Sequence, residues 1–68
     1  MTQEQKVLNY MEKHGSITSL EAMKIGVLRL SARVYDLKAR GHRIGRKMER
    51  VQNKDGTHSM IAVYFIVK

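Results

Sequence analysis

The stretch Leu30-Ser31-Ala32-Arg33-Val34-Tyr35-Asp36-Leu37-Lys38-Ala39-Arg40-Gly41-His42-Arg43-Ile44 decides how this chain is read. Leu30, Val34 and Leu37 recur at i, i+4 and i+7, so on a helix they share one stripe that must be buried. Gly41 closes that helix. The opposite face then carries Arg29, Ala32, Tyr35, Asp36, Ala39 and Arg40, with Ser31 and Arg33 on its flanks. Working back toward the N-terminus, Thr18-Ser19-Leu20-Glu21 is a capping-box pattern. It opens a short helix through Leu20, Met23 and Ile25, and Gly26 breaks it. Two apolar residues later the Leu30 helix begins, so the arrangement is helix, tight turn, helix.

Further upstream, Thr2 followed by Gln5 repeats the capping box, with Val7, Leu8 and Met11 at helical spacing behind it. His14 and Gly15 end this first helix, Gly15 suiting a left-handed cap. Ser16 and Ile17 form a short extended step. Downstream of His42 the period changes: Ile44 to Gln52 and His58 to Val67 are strand-like, joined by Asn53-Lys54-Asp55-Gly56-Thr57 as a hairpin loop. The expectation is one α+β domain over residues 1–68, three helices with a C-terminal β-hairpin. Its size limits it to a marginal core, with about 60% of the extended chain's surface hidden and about 4,400 Å² left exposed.

Charge is unevenly distributed. The net charge is +7. Residues 1–28 balance, whereas residues 29–54 hold Arg29, Arg33, Lys38, Arg40, Arg43, Arg46, Lys47, Arg50 and Lys54 against Asp36 and Glu49. A contiguous basic block is the electrostatic footprint of a domain that meets a polyanion, since a charge kept only for solubility has no reason to be confined. Several function classes drop out. With no cysteine there is no disulfide, iron–sulfur cluster, cysteine zinc site or thiol nucleophile. His14, His42 and His58 lack metal-ligand spacing, no catalytic triad is indicated, and the Gly41–Lys47 segment lacks the Gly-Lys-Ser/Thr ending of a phosphate loop. The reading is therefore a non-enzyme with no cofactor, metal or small-molecule substrate. No apolar run long enough to span a membrane and no signal-peptide pattern is seen, so the expectation is a cytoplasmic protein of a bacterial or phage-infected cell.

The element order and the run from Leu30 to Ile44, preceded by Ile17-Thr18-Ser19-Leu20-Glu21-Ala22, resemble the small winged helix-turn-helix DNA-binding domains of bacteria and phages. The resemblance implies that the third helix enters the major groove and that the hairpin, the wing, touches backbone or minor groove. One departure stands out. Residues 60–67 lack the alternation that a wing strand with one wet face should show.

The residues support the same partner independently. Arg29 and Arg33 suit bidentate reading of guanine, Ala32 permits close approach, and Ser31 and Tyr35 offer hydroxyls to phosphate. Asp36 suits either buttressing an arginine or accepting from cytosine, and Arg33, Asp36 and Arg40 are also spaced for i,i+3 and i,i+4 ion pairs on a wet helix face. Arg43, Arg46, Lys47, Arg50 and Lys54 lie on or beside the hairpin, where a flexible basic loop tip can reach phosphates. Thr18 and Ser19 cap the second helix, where phosphates dock. The resulting expectation is a double-stranded DNA-binding protein, a small transcriptional regulator or recombination accessory factor. The rival is a protein-interaction winged-helix module within a larger nucleoprotein assembly. RNA is disfavoured because only Tyr35 interrupts the basic face as a stacking platform. If Tyr64 and Ile66 cover the core, Ile61, Val63 and Phe65 are left on the outer face, which predicts a homodimer or cooperative assembly on DNA. Alternatively Phe65 folds back onto helix one around Tyr10 and completes the core.

Overall fold

The computed structural model describes residues 2–67, in the order α1 (Gln3–His14), β1 (Ser16–Thr18), α2 (Ser19–Lys24), α3 (Leu30–Ala39), β2 (Ile44–Gln52) and β3 (His58–Ile66). Both capping boxes form. The Gln5 amide donates to Thr2 Oγ1 at 3.1 Å and the Thr2 amide to Gln5 Oε1 at 3.0 Å. Thr18 and Glu21 repeat the exchange at 3.2 and 3.0 Å. Gly15 ends α1 at φ +89°, a left-handed conformation that a side chain resists, and its amide returns to the Met11 carbonyl at 2.7 Å.

The sheet is antiparallel and three-stranded, with order β1-β3-β2. The extended step after Gly15 is thus a full sheet member, pairing Ser16, Ile17 and Thr18 with Phe65, Tyr64 and Val63. This accounts for the missing alternation at Val63 to Phe65, where β3 is flanked on both edges and carries buried or half-buried apolar side chains on both faces, while Met60 and Val67 stay exposed. On the helix side, Ile17, Ile44 and Tyr64 join Val7, Met11, Ala22, Val27, Leu30, Val34 and Leu37 in one core, with Ala62 and Ile66 packed against it. On the far side Val63 is only 3% exposed. Phe65 lies half-buried across Gly45, its cross-strand partner, so close that a Cβ on Gly45 would sit 2.5 Å from the ring's Cζ.

The expected row of bare outer residues is therefore covered within the sheet itself: Val63 is buried and Ile61 and Phe65 are half-buried. Phe65 does not reach Tyr10 as the alternative required, because β3 register points it away from the helices. Also corrected is the inner face of α2. Ala22 is buried and Ile25 half-buried, while Leu20 and Met23 are 63% and 65% exposed. The reason is a polar tether. Tyr10 Oη donates to Glu21 Oε2 at 2.8 Å, which turns the Glu21, Ala22 and Ile25 side of α2 toward α1.

The hairpin runs past the core. The molecule measures 39 × 24 × 20 Å, and its surface of 5114 Å² exceeds the expectation for a compact chain of this mass.

Candidate nucleic-acid interface

α3 presents three sides. Leu30, Val34 and Leu37 face the core as the spacing requires. A second side turns toward α1 and is internally neutralised. Arg33 pairs with Asp36 at 3.2 Å, and Arg40 Nε meets Glu4 Oε2 at 3.1 Å. Glu4 Oε2 and Arg33 Nε are shielded from solvent without a well-aligned hydrogen bond, so the Arg40–Glu4 contact is ionic rather than directional. The third side is open, and it carries Ser31, Tyr35, Lys38 and Ala39, with half-buried Ala32 at its margin. Of the residues expected to face a ligand, Ser31, Tyr35 and Arg29 are thus exposed and, among the described residues, in no ion pair. Arg33, Asp36 and Arg40 are drawn into ion pairs.

Arg29 stands at the N-cap of α3 with φ +56° and ψ +60°, a left-handed conformation, and makes no side-chain cap. A β-carbon is disfavoured there, and a non-glycine residue held in that region is a recurrent mark of function. The geometry projects an exposed guanidinium beside the first turn of α3.

The wing sorts its charges by face. Cross-strand partners share a side, so Arg46 (opposite Tyr64), Met48 (opposite Ala62) and Arg50 (opposite Met60) lie on the helix side of the sheet. Lys47 and Glu49 lie on the far side and pair at 3.2 Å. The uncompensated arginines of β2 therefore share the side on which α3 stands. Arg43 is exposed just before β2. The tip is a hydrogen-bonded turn. Asn53 Nδ2 donates to Thr57 Oγ1 and Ser59 Oγ at 2.9 and 2.8 Å, and the Thr57 amide and hydroxyl donate to Asp55 Oδ1 at 3.0 and 2.7 Å. Those donors, the Thr57 hydroxyl foremost, hold the Asp55 carboxyl below its ordinary pKa. Lys54 is presented on a defined turn beside a carboxylate.

Thr18 Oγ1 is engaged as the α2 cap, and Ser19 stands exposed next to it. Two residues of this surface escaped the sequence reading. Lys38 lies at the edge of the open stripe, a position that helical angles place between the buried and opposite faces. Leu28 is 66% exposed, although an apolar residue between two helices is by default a core residue.

A helix with one open, uncompensated side next to a basic two-stranded wing defines a DNA-binding module of the helix-turn-helix class. The comparison with known families agrees: the winged helix-turn-helix domain family matches residues 2–68, and the chain belongs to that family. No curated protein and no solved structure matches the chain significantly. Such domains are DNA-binding modules and are not typically enzymes. Among the described residues, no helix is long and apolar enough to cross a membrane.

Proposed function

We propose that this domain binds double-stranded DNA with the open side of α3 in the major groove and the helix-side face of the wing along the backbone. It would act as a small regulator or recombination accessory factor. The observation that carries the reading is the distribution of charge after pairing. Arg33, Arg40 and Lys47 are neutralised by Asp36, Glu4 and Glu49, while among the described residues Arg29, Lys38, Arg46 and Arg50 are in no ion pair and lie on the helix side of the sheet. Lys54 extends this set at the tip. Four to five such cations on phosphates release counterions on binding, giving a log–log salt slope of roughly −3.6 to −4.5. Titration of a fluorescent duplex at several salt concentrations tests this. A flat slope, or no binding at low salt, refutes it.

Self-association or cooperative assembly on DNA is proposed on functional grounds, because one recognition helix reads only a few base pairs and a pair doubles the site. Exposed Leu20 and Met23, rather than the β3 outer row, supply apolar surface for it. Sedimentation with and without duplex tests this; a monomer that binds one-to-one without cooperativity excludes it.

A further inference from the structure

We infer that the open side of α3 reads thymine by its C5-methyl group, so that methyl groups in the major groove, rather than donor and acceptor patterns alone, set this domain's DNA preference. The inference rests on the DNA-binding reading above and names what that site selects.

The argument starts from what α3 lacks. Between Leu28 and Arg43 there is no asparagine or glutamine, the residues whose amides read adenine in a bidentate manner. Two of the three arginines on or capping α3 are committed elsewhere, Arg33 to Asp36 and Arg40 to Glu4. Bidentate reading of guanine by this helix is thereby left to Arg29. What the surface offers instead is apolar. Leu28 is 66% and Tyr35 73% exposed, and Ala39 stands open on the same side as Tyr35.

Large apolar side chains in the middle of a cationic surface need an apolar counterpart when that surface is covered. In the major groove the thymine methyl is the only such group, and alanine, threonine-methyl and aromatic contacts to it are an established mode of recognition. Dimensions agree. The ten residues of α3 extend about 15 Å, or roughly four base steps of 3.4 Å. Leu28 in the turn before α3, Tyr35 in its middle and Ala39 at its end would therefore face different base pairs. Charge supplies the complementarity that brings them there, through Arg29 and Lys38 on the phosphates alongside.

The test compares duplexes of one length that differ only in this methyl group: alternating A·T made with thymine or with uracil, and alternating G·C made with cytosine or with 5-methylcytosine. Burying one methyl is worth about a fourfold change in affinity. The thymine and 5-methylcytosine duplexes should each bind about fourfold or more tightly than their unmethylated counterparts, at an unchanged salt slope. Leu28→Ser and Tyr35→Ser should each shrink that ratio, and Tyr35→Phe should keep it. Both side chains are exposed, so folding is not at issue, and circular dichroism verifies it. Equal binding of methylated and unmethylated duplexes, with a steep salt slope, overturns the methyl inference and leaves DNA binding standing. A ratio that survives both serine substitutions places the discrimination elsewhere and also overturns it. Absence of binding to every duplex at low salt refutes DNA binding and the inference together.

Discussion

Replacing Arg46 and Arg50 by alanine should weaken DNA binding far more than replacing Lys47, although all three are basic residues of one strand. Strand alternation puts Arg46 and Arg50 on the helix side and Lys47 on the other, where Glu49 lies 3.2 Å from its ammonium. Each phosphate neutralised contributes about 0.9 to the log–log salt slope, which at 0.1 M salt amounts to about eightfold in affinity relative to 1 M. The double variant should therefore lose about 60-fold at 0.1 M salt, with the slope shallower by about 1.8. Lys47→Ala should lose less than about twofold at an unchanged slope, since its charge is already met and faces away. Fluorescence anisotropy on one duplex, repeated across salt concentrations, measures both quantities. A Lys47 loss equal to that of either arginine, with an equal change of slope, would show that the wing meets DNA with its other face or edge, and the assignment by strand alternation would fail.

Three further outcomes follow from the packing around Gly45, Arg29 and Glu21. Gly45→Ala drives a Cβ into the Phe65 ring and should cost about 1–3 kcal/mol by overpacking, seen as a lower midpoint in chemical denaturation; a neutral result would show that the ring moves freely. Arg29→Gly should relieve about 1–2 kcal/mol of left-handed strain against about 0.5–1 kcal/mol of added chain entropy, so the domain should become slightly more stable while binding DNA more weakly; loss of stability would contradict the strain argument. Glu21 is held below the ordinary carboxylate pKa, first by the Tyr10 hydroxyl and then by the Thr18 donors, so its contribution is present above the unfolded-state pKa and is lost as pH falls through the lower, folded value. Glu21→Gln should accordingly lower stability at neutral pH and flatten the loss on acidification below about pH 4.5, measured by denaturation at a series of pH values; an unchanged pH dependence would exclude Glu21 as a contributor.

Much of this architecture is legible in the order of residues because local signals and global packing agree. Capping boxes at Thr2 and Thr18 open the helices they announce, and the change of period after His42 marks a strand beginning at Ile44. What escaped the sequence depends on partners far away in the chain. The double-sided apolar character of residues 60–67 reads as an anomaly in a two-stranded wing and is resolved at Val63–Phe65, beside which Ser16–Thr18 supplies a third strand. Leu20 and Met23 carry the spacing of a buried face, yet Tyr10, eleven residues before Glu21, rotates α2 so that Ala22 faces inward instead. The Arg33–Asp36 pair was within reach of an i,i+3 rule, whereas Arg40–Glu4 joins opposite ends of the helical segment and has no local signature.

These tethers bear on how so small a core can hold a reading surface still. α2 is six residues long, too short to persist on its own propensity, and the core buries only one of its side chains, Ala22. Its orientation therefore depends on Glu21, which caps the helix through Thr18 and accepts from Tyr10 on α1. α3 is fixed to the same helix by its buried stripe and, near its C-terminal end, by Arg40 on Glu4. α1 thus holds both members of the helix-turn-helix, and one of the two carboxylates that do this, Glu4, also removes charge from the side of α3 facing away from the proposed groove. Positioning a helix and silencing a misplaced cation fall to one carboxylate in Glu4, whereas Asp36 only neutralises Arg33 within α3. The basic block seen in the sequence is narrowed by folding to the cations left without a counterion, and for that reason a count of arginines overstates the interface while the pairing pattern locates it.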